Sequence, residues 1–391
     1  MLVSKLATSA LARSALKKVV NPARHFSSLQ VPGLNLGHEE DYVVFPKERE
    51  GLEYALNWSL ADDGLTAAGE AFGNIKMASL KKRLGLKSAA TVLEASVASG
   101  NAKFQEAGTS VSFEEFDSKK ASISEYLSSG IDLYVEDGAA GSFRGSTVGV
   151  RIVTDDPVFA LVAKNLLNPV PKKMQAKSQP ITVLLATKAV DSLQAVAFDE
   201  SAAGALVGAT VVLAGTSDLS CLAGAVAHAA AVVLGEAEGL LPLPTAAGVV
   251  KGAASGVLVG APAALLAELH GAGHLYAAHG VVVGEGLASL LNGAVLPAAA
   301  ATAAGGGIAV RGGGAACVPL PAANRVAAPS AYLFHGETSM LRNSLSAADA
   351  GAALEAAGAE AEAVEKFVAR VAADGTPCVR VATSSDVLSA I

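Results

Sequence analysis

The sequence predicts a mixed α/β protein, of the α+β kind, built from buried apolar strands and helices. Three patterns carry that expectation. Two strand-like runs, residues 132–137 and 147–153, flank a glycine-rich turn and lead into a proline-started helix. Beyond Pro180, short β-branched runs alternate with glycine turns and longer alanine-rich stretches. Near the C-terminus, residues 346–369 read as a long Ala/Glu helix pair and residues 378–382 as a final strand.

Taken in order, residues 29–60 read as a connecting arm followed by a helix. Pro46 suits a first helical turn, and Leu52, Leu56 and Trp58 follow it. Residues 80–99 read as mixed helix and turn. Residues 113–128 set acids and bases around Phe116 and Tyr126, the pattern of an exposed helix. The run Asp132-Leu133-Tyr134-Val135-Glu136-Asp137 is strand-like, and Gly138-Ala139-Ala140-Gly141-Ser142 supplies a turn. Residues 147–153 alternate and are β-branched, so they form a second strand. Asp155 and Asp156 can accept orphan amides, and Pro157 fits the first turn. The helix they start carries Val158, Leu161, Val162, Leu166 and Leu167 and stops at Pro169. Strands follow at 181–185, 195–198 and 209–214, then a buried helix at 219–234 and strands at 257–259, 281–283 and 308–310.

Composition bounds the function. The 391 residues are 51% hydrophobic and 17% charged, with 40 glycines and a mean hydropathy of +0.43. That length supports a large core, in one big domain or two ordinary ones. A formal net charge of −7 argues against nucleic acid as a main partner. Residues 1–28 differ from the rest. They hold Lys5, Arg13, Lys17, Lys18 and Arg24 and no acid, with Ser, Ala and Leu between. This is the composition of a mitochondrial transit peptide, with a processing region at Arg24-His25-Phe26-Ser27-Ser28. Cys221, Cys317 and Cys378 are far apart and form no C-x-x-C, so idle buried thiols are expected. The uncharged runs 201–217 and 219–235 are split by Asp218, and the second holds His228. Residues 287–310 are interrupted by Pro297 and Gly305-Gly306-Gly307. Buried elements of a soluble protein fit these runs better than membrane spans.

Residues 201–328 nearly lack charge. Asp218, Glu236, Glu238, Lys251, Glu268, Glu285, Arg311 and Arg325 are the only Asp, Glu, Lys and Arg residues there. Catalysis on phosphates, carboxylates or metals needs converging charges, donors and ligands, so the segment points to a fold kept without its chemistry. His270, His274 and His279 have the most metal-like spacing. Gly271 and Gly273 disfavour the helix that would align the first two, and Glu268 and Glu285 are the only carboxylates near enough to complete a set. The glycines at 305–307 and 312–314 lack a G-x-G-x-x-G context and read as loops. Lys81-Lys82-Arg83 reads as a solvated face, and Glu360, Glu362 and Glu365 as exposed helix charges.

Residues 126–171 contain D-G, V-R-I and V-A-K-N-L elements in a strand–turn–strand–helix order. In these they resemble the N-terminal domain of ATP-type phosphoenolpyruvate carboxykinase. The similarity continues at residues 211–216, V-V-L-A-G-T, at 287–296, ending N-G-A-V-L, at 329–348 and at 367–382. It covers most of residues 65–385, in a chain shorter than is usual for that family.

The resemblance implies a substrate arginine, metal-binding lysine and histidine residues and a phosphate loop. The family's T-G-R-S-P-K-D falls on residues 76–82, K-M-A-S-L-K-K, which puts Ala78 at the arginine. Its Y-x-G-E-M-K-K falls on residues 217–223, with Leu222 and Ala223 at the lysines. Its metal histidine aligns with Pro244. Its G-x-x-G-x-G-K-T-T falls on residues 258–268, L-V-G-A-P-A-A-L-L-A-E, with one glycine, no lysine and no hydroxyl. Four independent losses imply a non-catalytic homologue, with no catalytic, cofactor-binding or metal residues and no cofactor. The expected organisation is a transit peptide over 1–28, an arm and helix over 29–64, a carboxykinase-like N-terminal domain over 65–245 and a degenerate C-terminal domain over 246–391. The expected role is structural or accessory, in the mitochondrial matrix or on the matrix side of the inner membrane. Its partners would be other mitochondrial protein subunits of a large assembly such as ATP synthase or a respiratory complex. The alternative is a divergent nucleotide-dependent carboxykinase or lyase.

Overall fold

A computed structural model of the chain describes residues 54–84, 91–95, 105–106, 111–141, 147–177, 179–189, 193–215, 219–237, 239–297, 308–312, 315–320, 326–338, 343–359 and 361–391. The expected transit peptide, the helix start at Pro46, Asp218, Glu360 and the glycine run 305–307 lie outside these residues. The structure is mixed α/β, with several sheets and, among the described residues, nine α-helices.

The first half runs α1 (Tyr54–Asp62), β1 (Ala71–Gly73), α2 (Met77–Arg83), β2 (Thr91–Ala95), β3 (Gln105–Glu106), α3 (Phe113–Leu127), β4 (Leu133–Ala140), β5 (Val148–Thr154), α4 (Pro157–Leu166), β6 (Asn168–Pro169), β7 (Ile181–Ala186), β8 (Leu193–Glu200), β9 (Leu206–Ala214) and α5 (Leu219–Gly235). Its eight-stranded sheet has the order β1-β4-β5-β7-β9-β8-β3, with β6 paired to β4. The period-2 alternation of each strand sends residues to opposite faces. Val150, Ile152, Val183 and Val211 pack with α4 and α5. Leu133, Val135, Val153 and Leu184 pack on the other face with Leu56 and Leu60 of α1 and Phe116 and Ile123 of α3. Helices on both faces explain why the central strands read as continuous apolar runs.

Two sequence expectations need correction here. Residues 138–140 are not a turn: β4 continues to Ala140, with Gly138 opposite Val150 and Ala140 opposite Val148. Gly138 is required by packing, since a Cβ there would lie 2.6 Å from Leu167 Cβ at the exit of α4. Residues 80–99 are also not helix and turn alone: α2 ends at Arg83 and β2 is a strand. At α4, Asp156 caps the Val158 amide at 2.8 Å, with Pro157 beginning the helix. Asp155 instead accepts from the Thr187 amide (2.9 Å) and the Tyr126 hydroxyl (2.8 Å). Burial and that bond push Tyr126 up to about 12.

The second half runs β10 (Leu241–Leu243), β11 (Ala246–Lys251), β12 (Ala254–Val259), α6 (Ala263–Gly271), β13 (Leu275–Ala277), β14 (Val281–Val283), β15 (Leu287–Ser289), β16 (Gly293–Pro297), β17 (Ile308–Gly312), β18 (Ala315–Pro319), β19 (Ala331–His335), β20 (Ser344–Leu345), α7 (Ala347–Ala356), α8 (Ala361–Asp374), β21 (Cys378–Val381) and α9 (Ser384–Ala390). It holds a six-stranded sheet, β13-β11-β12-β19-β21-β20, a three-stranded sheet, β10-β14-β15, and a four-stranded sheet, β16-β18-β17-β2. The halves are joined: β2 pairs in parallel with β17, and Leu290, Leu291, Val295 and Cys317 share the apolar cluster of α4 and α5. Helix α5 is apolar on most sides because strands of both halves enclose it; Leu219, Leu222, Ala223 and Ala230 are fully buried. No helix among the described residues is long and apolar enough to cross a membrane.

The chain closes on α9, which carries a capping box. The Asp386 amide donates to Thr383 Oγ1 at 3.2 Å, and the Thr383 amide donates to Asp386 Oδ2 at 3.0 Å. Val387 anchors the helix in the core at 0% exposure. Thr383→Ala is expected to lower stability by about 1 kcal/mol, read as a shifted midpoint in urea unfolding. An unchanged midpoint would mean that α9 frays freely without affecting the core.

Candidate functional site

The antiparallel register of β4 and β5 sets Asp137 directly opposite Arg151. Both point to the α1–α3 face, and Arg151 is fully buried. Its guanidinium grips Asp137 with two donors, Nε to Oδ1 at 2.7 Å and Nη2 to Oδ2 at 3.1 Å. Nη1 donates to Asp63 Oδ2 at 3.1 Å and to Ser59 Oγ, and Nη2 donates to the Lys177 carbonyl at 2.7 Å. Asp137 also accepts from the Ala176 amide at 2.7 Å and from Asn74 Nδ2 at 3.4 Å. Asn74 and Ala176 both take positive φ, 47° and 56°, where non-glycine residues are strained. The strained backbone therefore turns toward the charge pair, and the network ties α1, β4, β5, β7 and the loop before β7 together. Desolvation pulls the Arg151 guanidinium down, but the bonds and charges of Asp137 and Asp63 outweigh it and hold it above its usual value. Burial raises the Asp63 carboxyl despite the pull of Arg151.

Asp63 also borders a cleft of about 720 Å³ between α1, α3 and the sheet. Its charged lining is Asp62, Asp63, Asp117, Glu125 and Asp199, against Lys120 alone. Such a surface repels phosphate and carboxylate ligands. Among the described residues no group of three His, Cys, Asp or Glu side chains is placed to hold a metal ion.

The positions singled out in the sequence lie elsewhere. Ala78 is exposed on α2, whose Arg83 lies over the Phe72 ring at 3.7 Å and pairs loosely with Glu70 and Asp132. Arg83 is therefore more than a solvated charge. Leu222 and Ala223 are both 0% exposed in α5. Pro244 follows β10 and packs against Gly280. Residues 254–271 do form strand, turn and helix, as a phosphate loop would. The turn is Gly260-Ala261-Pro262, with Gly260 at φ 71°. Pro262 sits at the helix cap with no side-chain hydrogen bond, and residues 258–268 bring no lysine or hydroxyl.

The three histidines do separate work. His270 ends α6; His274 Nδ1 contacts the Val250 carbonyl at 2.9 Å; and His279 Nε2 accepts from the Val295 amide at 2.8 Å. His279 keeps a little exposed surface, but enclosure of its ring pulls it to about 4. Comparison of the chain with protein-family models and with curated protein sequences finds no match. The Arg151 network was missed in the sequence. Its one signal was an arginine inside an apolar alternating strand, and its partner becomes visible only once the strand register is known.

Proposed function

We propose that the chain is a non-catalytic structural or accessory protein on a degenerate carboxykinase-like fold. One observation carries this reading. Leu222 and Ala223, aligned with the lysines that would bind metal and substrate, are sealed in the α5 core at 0% exposure. A charged ligand has no route to such positions without unpacking the helix. The β12–α6 turn adds support: its geometry offers backbone amides but no cation for a β- or γ-phosphate. The acidic cleft and the closed Arg151 network add nothing that would stabilise developing negative charge.

The location and setting rest on the sequence. The basic, acid-free residues 1–28 support import into the mitochondrion. The assembly we propose is a large one at the matrix side of the inner membrane, such as ATP synthase or a respiratory complex. The rival is a divergent nucleotide-dependent carboxykinase or lyase, favoured by the strand–turn–helix at residues 254–271. Purified mature chain, given oxaloacetate, ATP and Mn²⁺, is expected to show no turnover and no calorimetric ATP binding. In native gels of mitochondria, the tagged chain is expected in a large complex. Turnover that survives contaminant controls, or nucleotide held at residues 259–266, would favour the rival instead.

A further inference from the structure

Strand β4 places two adjacent carboxylates on opposite faces of the central sheet, and their surroundings differ. Asp137 receives four donors, from Arg151 Nε and Nη2, the Ala176 amide and Asn74 Nδ2. Glu136, on the α4–α5 face, receives one. Lys164 of α4 donates to its Oε2, and its Oε1 is buried with no hydrogen-bond partner. The Glu136 side chain is 4% exposed and that of Lys164 is 21% exposed. The lysine side chain keeps some exposed surface, while the glutamate side chain is almost wholly enclosed. An ionised carboxylate there gives up hydration on one oxygen with nothing in exchange, and a proton on that oxygen lowers the penalty by removing the charge.

We propose that Glu136 is a proton-linked switch between β4 and α4: ionised it is held by Lys164 alone, and protonated it is freed of the charge on its orphaned oxygen. Burial, opposed by Lys164 and reinforced by Asp137, pushes its carboxyl up to about 7. The other charges on neighbouring elements are engaged elsewhere. Arg151 of β5 is spent on Asp137 and Asp63 on the opposite face. Arg83 of α2 serves Glu70, Asp132 and the Phe72 ring, beside the half-buried Lys81 and the exposed Lys82. Asp132 and Asp156 lie toward the start of β4, where they act on Tyr134. Helix α5 contributes Cys221 and His228 as its titratable groups, and β1 and β6 contribute none. The site matters because α4 and β4 leave at the seam between the halves. Leu166 O accepts from the Asn292 amide, and the Gly141 amide donates to Leu290 O, both at 2.7 Å.

The sign follows from proton counts. Between the ordinary carboxyl value and about 7, the folded chain binds a proton at Glu136 that the unfolded chain does not. Stability from this group therefore grows as pH falls through 7, by on the order of 10²-fold in the folding constant. His279 works the opposite way, because its ring stays neutral in the fold down to about 4, so a variant must isolate Glu136.

The test uses the mature full chain and E136Q in urea titrations from pH 5 to pH 8.5. E136Q mimics the protonated acid. Its folding constant relative to the parent is expected to rise on the order of 10²-fold across that range, with a midpoint near 7. Parallel profiles overturn the proposal. A second reading needs no folded variant. In the parent chain labelled with ¹³C-glutamate, one side-chain carboxyl is expected to titrate near pH 7, and Lys164→Met moves that midpoint upward. Complete titration of every glutamate below about pH 5.5 overturns the proposal on the parent chain alone.

Discussion

Arg151→Met is expected to cost about 3–5 kcal/mol of stability, a large share of what a typical domain has. Methionine matches much of the stem volume, so the loss is electrostatic more than steric. It leaves Asp137 of the sheet and Asp63 at the end of α1 without their shared cation. Taking the guanidinium away also orphans the Lys177 carbonyl at 2.7 Å and loosens the loop in which Ala176 holds φ 56°. Arg151→Lys is expected to recover only part of the loss, because one ammonium cannot reproduce the two-point grip on Asp137 while reaching Asp63. Joining Arg151→Met with Asp137→Leu should cost less than the sum of the two single changes, since the pair is removed whole. Urea unfolding of the four proteins gives the coupling directly. A single Arg151→Met loss below about 1 kcal/mol would place the network in the class of solvent-screened pairs and end its role as a lock.

The sequence made the apolar skeleton legible and hid the polar one, for a physical reason. Strands β5, β7 and β9 and helices α3, α4 and α5 announce themselves through side-chain periodicity and through Asp156-Pro157 at a helix start. Those signals are local. Gly138 misled because its turn propensity is also local, whereas its role is set by Leu167, a residue that approaches from another element. Strand β2 was missed because its one parallel partner, β17, lies more than 200 residues away. Strands held by such distant pairing carry little turn chemistry of their own. The Arg151 network has the same origin. Ser59, Asp63, Asp137, Arg151 and Thr182 are unremarkable polar residues along the chain, and only the register of β4 against β5 and the lie of α1 make them one cluster. In contrast, the low charge of residues 201–328 was readable directly, and it corresponds to the burial of α5 and of β10 to β16.

Leu222→Lys, which restores the cation that the carboxykinase resemblance implies at that place, is expected to destabilise the chain by about 4–6 kcal/mol near pH 7. Leu222 is 0% exposed, with Val226, Leu219 and Ala223 in the same apolar cluster. Glu136, the buried carboxylate on that face of the sheet, is already held by Lys164, so a lysine at position 222 is expected to fold neutral. Its folded pKa would fall to about 5–6, as for other lysines in apolar interiors. The sign is then fixed. Between that value and about 10.4 the unfolded chain binds the proton and the folded chain does not, so the variant gains stability as pH rises. Its deficit against the parent should shrink toward the packing cost alone by about pH 10.5. The same variant separates the two functional readings. If residues 217–223 still form a ligand site, the introduced ammonium would be drawn toward it, and Mn²⁺ with oxaloacetate would raise the unfolding midpoint. If the site has become core, neither addition has an effect and the penalty follows pH alone. A Leu222→Lys chain as stable as its parent at pH 7, or one stabilised by Mn²⁺ with oxaloacetate, would sink the structural reading. The geometry of α5 favours the pH-dependent loss, because Leu222 lies on the buried side of the helix, away from the partly exposed stripe of Ser220, Gly224 and His228.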